Sequence, residues 1–431
     1  MDEERVLRKL IPASAGVLLR HRPFRHQFTA NALSMIGSAL TPVALALGVL
    51  QATGSAADLG LVLAAYSVPQ VVFLIVGGVW ADRLPRQRVM MLADGVRVVT
   101  QIGFGTLLIS GWTPVWAMMV LQAFCGAATS FFLPASVGLV ADTAPAGLAQ
   151  EANALLSLTR NLTGTLGPIV AGALATFTGA GPALIIDGVT FAASLVFLGM
   201  LNLPERKAAA QEGSFLAELA DGWREVSRRS WVWSTILYCM VFNLAFSTFQ
   251  VIGPATMAAD EHGGLLWGAV VAGLGLGQVA GNSIALWWQP RRPLLTGRII
   301  MITAAPVLLL MGLGAPFPLL IAGSLLCGIA ISFPDTMWDA ALQENIDGSA
   351  LARVSSFDFL GSFLLRPVGL ALSAALAGLF GPEHTLVMGA AVIALATVVS
   401  LADPLVRTLK RPQPDPAANA SLQGAPADSS A

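Results

Sequence analysis

The sequence predicts an all-α membrane protein with twelve transmembrane helices arranged in two six-helix halves. Three observations support this fold class. First, 55% of the 431 residues are hydrophobic and the mean hydropathy is +0.72, both above the range of soluble globular domains. Second, polar breaks divide the chain into twelve apolar runs, each long enough to cross a bilayer core of about 30 Å. Third, residue pairs in the first six runs recur in the last six.

The runs are the predicted membrane helices, and the segments between them set the domain organisation. Residues 1–27 form an N-terminal segment, 28–203 the first half, 204–230 a linker, 231–403 the second half and 404–431 a tail. The tail is rich in Pro, Ala and Ser, which predicts disorder. The twelve runs lie at residues 28–50, 58–81, 89–110, 113–140, 151–178, 182–203, 231–257, 264–288, 294–313, 317–338, 354–379 and 384–402.

Basic residues predict the orientation of the helices. The odd-numbered connections between runs contain no Lys or Arg, whereas the basic residues, Arg298 among them, fall on the opposite side. The positive-inside rule then places both termini in the cytoplasm. The linker falls on the same side, where Phe215, Leu219 and Trp223 recur at helical spacing and predict an amphipathic helix.

The internal repeat is carried by polar and proline residues in matching runs. Asn31 and Pro42 are spaced as Asn243 and Pro254 are, and Pro134 in the fourth run matches Pro334 in the tenth. The order of the matched pairs is preserved along the chain. A six-helix unit is therefore duplicated, and a binding site between the two copies is expected.

A charged hairpin between the second and third runs resembles a known family motif. Gly78, Asp82, Arg83 and Arg86 follow the spacing of the cytoplasmic loop typical of the major facilitator superfamily, with Pro85 in place of the second Gly. In the fifth run, the stretch from Gly164 through Gly167 and Pro168 to Gly172 resembles that family's exporter motif.

The resemblance spans residues 24–403 and looks most like the drug:proton antiporter branch, which includes macrolide-efflux and enterobactin-exporter-like proteins. It implies the two-half fold and export by alternating access. It also implies a conformational latch on the cytoplasmic side, in which Arg86 pairs with Asp142 while Asp82 lies near Arg353. Many proton-coupled members carry Arg in the fourth helix, but this chain has Gln122, so coupling through that arginine is not available.

A few polar side chains inside the apolar runs are candidates for substrate and proton handling, because an ionisable group within a bilayer is costly unless it faces protein or water. Arg160 and Arg366 are predicted to attract an anionic substrate group, and Asp187 or Asp358 to take up and release a proton. Structural pairing of Asp358 with Arg366, or of Asp94 with Arg97, is the alternative interpretation. Further cavity candidates are Asn31, Asn161, Gln122 and Asn243.

The leading functional hypothesis is a secondary active exporter of small amphipathic molecules in a bacterial cytoplasmic membrane. The alternatives are a facilitator without proton coupling and a non-transporting receptor or scaffold. The chain carries no HExxH, GxSxG or P-loop pattern, so no enzymatic activity, cofactor or metal is expected. The expected partners are lipid, a small-molecule substrate and protons, without nucleic acid, and the expected state is a monomer.

Overall fold

The computed structural model of the protein describes residues 15–83, 85–203, 223–258, 260, 262–346 and 348–409. Helices make up nearly all of these residues, and the described part contains no strand. We number the twelve membrane helices as spans in chain order. The predicted amphipathic helix of the linker lies outside the described residues up to residue 222, as does the tail beyond residue 409, whose predicted disorder begins at residue 404, where the structure instead has the short helix Pro404–Thr408.

The twelve predicted runs all correspond to helices, which confirms the fold class. Short helices precede and follow the spans at Ala15–Arg20 and Pro404–Thr408. In order, the spans are Arg22–Thr53, Ala56–Arg83, Arg86–Ser110, Val115–Thr143, Ala149–Phe177, Ala180–Gly199, Ser230–Met257, Gly263–Trp287, Pro293–Met301 continued by Ala305–Gly312, Phe317–Asn345, Gly348–Phe363 continued by Arg366–Phe380, and Pro382–Ser400.

Two spans are interrupted where proline enters the chain. The ninth passes through a 3₁₀ turn at Ile302–Ala304 just before Pro306, and the eleventh breaks between Phe363 and Arg366 just before Pro367. Proline lacks the amide hydrogen that a continuous helix needs and clashes with the preceding turn. The second segment of each span therefore starts with proline in its first turn, where the missing donor costs nothing.

The fifth span differs from the others in polarity. Eleven described helices are long and apolar enough to cross a membrane, and Ala149–Phe177 is absent from that set although it has 29 residues. Its sequence includes Arg160, Asn161 and several threonines. A membrane helix of this composition needs protein or water along part of its surface.

The two halves are built with the same packing pattern. In the first half the first span packs against the fifth and sixth, the second against the fourth, and the third against the fourth and sixth. In the second half the seventh span packs against the eleventh and twelfth, the eighth against the tenth, and the ninth against the tenth and twelfth. Each pair in one half thus has its counterpart six spans later.

The halves meet along two lines of contact, which we call seams. The fifth span packs against the eighth, and the second packs against the second segment of the eleventh. We call the face that carries both termini, predicted to be cytoplasmic, the inner face, and the opposite one the outer face. The contacts at both seams lie toward the outer face, as the next section describes.

Candidate functional site

Glycine backbones close the seam between the fifth and eighth spans. A Cβ atom added at Gly172 would lie 2.3 Å from the carbonyl oxygen of Gly264, and one added at Gly268 would lie 2.5 Å from that of Pro168. Real Cβ atoms do not approach so closely, so the two helices touch through their main chains. Small residues are the usual means of such close contact in membranes.

The predicted helix-packing motif of the fifth span contacts two helices, the eighth span and the first span. Pro168 and Gly172 face the eighth span, and a Cβ at Gly275 would lie 2.9 Å from the carbonyl oxygen of Gly164. Gly167 instead faces the first span, since a Cβ there would lie 2.3 Å from that of Ala39. The contact between Gly164 and Gly275 is the innermost of the glycine contacts at this seam.

Inward of Gly164 the same face of the fifth span is exposed and polar. Asn153, Ser157, Arg160 and Asn161 follow one another at helical spacing on this face, and all four are exposed. A second exposed stripe on the same helix consists of Leu162, Leu166, Ile169 and Val170. The apolar stripe suits lipid and the polar stripe suits water, so the seam parts toward a hydrated space at the inner face.

The second seam closes in the same direction. A Cβ added at Gly60 of the second span would lie 2.6 Å from the carbonyl oxygen of Leu370 in the eleventh. Arg366 lies one turn inward of Leu370, where its Nη2 atom donates to Gln250 Oε1 at 3.1 Å. Its guanidinium carbon is 5.9 Å from the centroid of the Phe363 ring. Arg366 therefore sits just inside the point of closure, as Arg160 does at the other seam.

Asp187 lies deep inside the first half, with no exposed surface. Its Oδ2 atom accepts hydrogen bonds from the Thr41 hydroxyl at 2.5 Å and from Gln101 Nε2 at 2.6 Å, whereas Oδ1 has no hydrogen-bond partner within the described part of the chain. A Cβ added at Gly37 would lie 2.3 Å from Oδ1, so that glycine leaves the space the carboxyl group occupies. Spans one, three and six thus enclose one acid that is only half satisfied.

Asp94 and Arg97 form a second enclosed cluster in the first half. Arg97 Nη1 lies 3.4 Å from Asp94 Oδ1, and Ser194 donates to Asp94 Oδ2 at 2.7 Å. The guanidinium group also stacks 4.3 Å from the ring of Phe132 and 5.1 Å from that of Phe191. This geometry agrees with the structural pairing of Asp94 with Arg97, the alternative interpretation drawn from the sequence.

The pairing interpreted for Asp358 and Arg366 is not present. Asp358 accepts hydrogen bonds from Trp338 Nε1 at 2.7 Å and from Ser362 at 3.3 Å. Arg366 lies two turns farther along the span and contacts Gln250 instead. The break in the helix between Phe363 and Arg366 interrupts the regular spacing on which a pair within one helix depends.

Three of the predicted cavity residues have different surroundings. Asn31 and Gln122 are buried inside the first half, where Ser136 donates to Asn31 at 3.2 Å and Gln122 approaches Gln101 at 3.5 Å. They do not line the space between the halves, which corrects that prediction. Both sit on helix faces that pack against neighbours, and sequence spacing alone does not fix that facing. Asn243 is half-buried and donates to the carbonyl of Ser362, joining the seventh span to the eleventh.

The second half carries an acidic helix face that was not predicted from the sequence. Asp335 and Asp339, four residues apart on the tenth span, are both exposed, and Asp358 is half-buried beside Trp338. The spacing of the two acids within an apolar run was the available signal. Arg298, placed by sequence with the surface charges, is only 5% exposed and stacks 4.0 Å from the ring of Tyr238.

The predicted latch is described in part. Arg86 Nη1 lies 3.2 Å from Asp142 Oδ2 and donates to the carbonyl of Gly138 at 2.6 Å. This pair joins the third span to the fourth, both in the first half. The side chains of Asp82, Arg83 and Arg353, and the surroundings of Gly78, lie outside the described part, so the latch across the halves stays a prediction.

Two six-helix halves that touch at the outer face and part along polar side chains at the inner face define a polytopic membrane transporter. The sequence profile described as "Major Facilitator Superfamily" matches residues 28–364, and the chain belongs to this family. It is therefore a transporter and not an enzyme.

Relatives and solved structures agree with this assignment. The enterobactin exporter EntS of Salmonella typhi is 27% identical over 399 residues, covering 89% of this chain and 92% of that protein. Macrolide efflux protein A of Streptococcus pyogenes is 24% identical over 394 residues, covering 86% and 93%.

The fold matches solved transporters at low sequence identity. The crystal structure of the nucleoside transporter NupG superposes with a TM-score of 0.69 at 13% identity, covering 89% of this chain and 100% of that one. A bacterial homolog to the human lysosomal transporter Spinster gives a TM-score of 0.68 at 14% identity, covering 92% and 99%. At these identities the likeness concerns the fold alone.

Proposed function

We propose that this chain is a secondary active exporter of small amphipathic molecules, working by alternating access in a bacterial cytoplasmic membrane and driven by proton uptake. One observation carries the proposal. The seam between spans five and eight is closed by glycine backbones toward the outer face and exposes Ser157, Arg160 and Asn161 toward the inner face. A substrate reaches such a space from the inner face. It leaves at the outer face only after the seams have closed on the inner side and opened on the outer side.

The direction of transport follows from orientation and relatives. The positive-inside rule predicts that the inner face is cytoplasmic, and a space open to that face would take up molecules from the cytoplasm. Two relatives that are similar over most of their length are named as an exporter of enterobactin and an efflux protein for macrolides. Both names describe outward movement, which supports export here. Both seams lie within a single chain, so a monomer suffices for the cycle.

Asp187 is the residue we assign to proton coupling. A charged carboxylate in the membrane interior is costly unless it is paired, and Asp187 Oδ1 has no partner among the described residues. A proton on this group removes the charge without displacing the hydrogen bonds to Oδ2. Because Thr41 and Gln101 hold Asp187 between spans one and three, a change in its charge acts on the packing of those spans.

The test is accumulation of amphipathic dyes in everted membrane vesicles, with and without an uncoupler. Wild type is expected to accumulate dye in an uncoupler-sensitive manner, and Asp187→Asn to lose that sensitivity. Asp58→Asn, in the first turn of the second span, is the control because this acid lies outside the enclosed cluster. Membrane insertion of each variant is checked by surface labelling.

The alternative functions are outcomes of the same experiment. Entry of dye only to equilibrium, at a rate that neither the uncoupler nor Asp187→Asn changes, would establish a facilitator. Absence of accumulation for every dye, with normal insertion, would favour a receptor or scaffold that kept the fold. Either result overturns the proton-driven exporter.

A further inference from the structure

Arg366 is an arginine of the membrane interior that has no ion-pair partner among the described residues. It is about 21 Å along the helix from the outer end of the eleventh span, counting about 1.5 Å per residue, and so lies well inside the bilayer. Its Nη2 atom donates to Gln250, its Nε atom is buried without a partner, and no described carboxylate lies within ion-pair distance. Gln250 is neutral, so the hydrogen bond orients the guanidinium group without cancelling its charge.

The enclosed arginine of the first half gives the contrast. Arg97 contacts Asp94 at 3.4 Å and stacks on two aromatic rings. An arginine with those contacts is satisfied by the protein itself. Transferring a charge out of water costs several kcal/mol of free energy unless a nearby opposite charge offsets it. Arg366 has no such partner in the described part of the chain, so a bound anion would offset this desolvation cost.

The surroundings of Arg366 come from both halves. Gly60 of the second span meets Leu370 one turn outward of Arg366, and Tyr66, on the same second span, lies within electrostatic reach of the guanidinium group. Tyr66 and Arg366 both lie inward of this contact, where the closed part of the seam ends. An anion bound at Arg366 would therefore touch the two halves at their point of closure.

The ring next to Arg366 supplies an apolar neighbour. Phe363 lies on the preceding turn, and its ring pairs with that of Phe359 at a centroid distance of 4.7 Å. The acids of the second half lie farther toward the inner face, since the half-buried Asp358 is eight residues before Arg366 and the exposed Asp335 and Asp339 lie toward the inner end of the tenth span. An anionic group is repelled by these acids and attracted by Arg366, so its favoured position is the deeper one.

We propose that Arg366, oriented by Gln250, binds the anionic group of an amphipathic substrate, with the aromatic part of the substrate against Phe363. The substrate class is an aromatic carboxylate, sulfonate or phenolate. This inference rests on the proposed function and deepens it by naming the substrate chemistry. Arg366 supplies the charge, and Gln250 is a positioning residue that acts through it.

The binding test uses the full chain in lipid nanodiscs and two dyes that share a xanthene ring. Fluorescein carries negative charge and the ethyl ester of tetramethylrhodamine carries positive charge, and fluorescence polarisation against empty nanodiscs reports binding. Wild type is expected to bind fluorescein about tenfold more tightly than the cationic dye, and Arg366→Gln to lose about tenfold for fluorescein alone. Arg366→Lys should retain part of this preference, and Gln250→Leu should weaken it severalfold.

A second measurement separates a ligand site from a structural arginine. In the absence of dye, Arg366→Gln is expected to unfold at the same temperature as wild type or above it, because it removes an uncompensated charge. Arg97→Gln, the matched control, is expected to unfold at a lower temperature. Fluorescein should raise the unfolding temperature of wild type and leave that of Arg366→Gln unchanged.

The outcomes distinguish the subsite from the exporter. Fluorescein binding that is absent in wild type, weaker than that of the cationic dye, or unaffected by Arg366→Gln overturns the subsite, as does a fall in the unfolding temperature of Arg366→Gln equal to that of Arg97→Gln. Uncoupler-sensitive accumulation of dye without any dependence on Arg366 would leave the exporter standing and the subsite refuted. Arg366-dependent binding without accumulation would do the reverse.

Discussion

The two halves share a packing pattern but differ in where they place their charged side chains. The sixth and twelfth spans both begin after a glycine with positive φ, Gly179 at 90° and Gly381 at 86°. Eight residues beyond the first lies Asp187, fully enclosed, and eight beyond the second lies Gly389, whose added Cβ would lie 2.6 Å from the Thr248 hydroxyl. The place that holds an acid in one half holds no side chain in the other.

The arginines of the third and ninth spans repeat the contrast. Arg97 and Arg298 are both 5% exposed and both stack on aromatic rings. Three residues before Arg97 is Asp94, its partner, whereas three before Arg298 is Leu295. The first half therefore encloses Asp187 and the pair of Asp94 and Arg97, whereas the second exposes Asp335 and Asp339 and leaves Arg366 without an ion-pair partner among the described residues. We infer that coupling belongs to the first half and that the second contributes the substrate anion site at Arg366.

The largest expected effect is that of Gly37→Ala on transport. The new methyl group would occupy the space of Asp187 Oδ1 and collide with the Thr190 hydroxyl, so the carboxyl group must shift away from Thr41 and Gln101. We expect uncoupler-sensitive dye accumulation in everted vesicles to fall about tenfold or more, the range lost when a key polar group is misplaced.

The matched change in the second half is Gly389→Ala. It also crowds a threonine hydroxyl, but no acid lies at that position, so coupling should persist even where stability falls. Equal loss of uncoupler-sensitive accumulation in both variants would break the division of roles between the halves.

The next effect concerns stability. Arg97→Gln leaves Asp94 enclosed without its cation, and breaking a buried pair in this way costs about 3–5 kcal/mol. Arg298→Gln strands no contacting carboxylate and removes a stacking contact on Tyr238 worth about 2 kcal/mol. The free energy of unfolding in mixed micelles titrated with SDS measures both. A loss for Arg298→Gln equal to that for Arg97→Gln would show that the second half also depends on a charge pair.

The exposed acids should matter less for stability than for selectivity. Asp335→Asn combined with Asp339→Asn is expected to change the free energy of unfolding by no more than about 0.5 kcal/mol, because both side chains are exposed. Removing their repulsion should tighten fluorescein binding about twofold to threefold and weaken that of the cationic dye. Polarisation titrations at low and high salt test this, since the change should shrink as salt screens the charges. If the affinities for both dyes stay unchanged, the two acids lie away from the bound substrate.

The fold was predictable from the sequence because each membrane helix needs a long apolar run, and every predicted run became a helix. The contacts within the halves were not. Asn31 and Gln122 were assigned to the cavity, yet both are buried, since the face that a helix turns toward its neighbours depends on packing and not on composition. Asp335 and Arg298 were missed for the same reason, one because its side chain is exposed within an apolar run and the other because its side chain turns inward to stack on Tyr238.

A similarly small effect on stability is expected at the surface of the first half, where Arg86 meets Asp142. Both side chains are about one-quarter exposed, at 23% and 28%, so the pair is screened by water, and Arg86→Ala should lower the free energy of unfolding by about 1 kcal/mol or less. The hydrogen bond to the carbonyl of Gly138 adds to this cost, but that carbonyl lies near the inner face, where water replaces the lost donor. The same SDS titration measures the change. A loss of unfolding free energy as large as that of Arg97→Gln would mean that this partly exposed ion pair stabilises the first half as strongly as the enclosed one. The contribution of an ion pair to stability in this protein would then not depend on its burial.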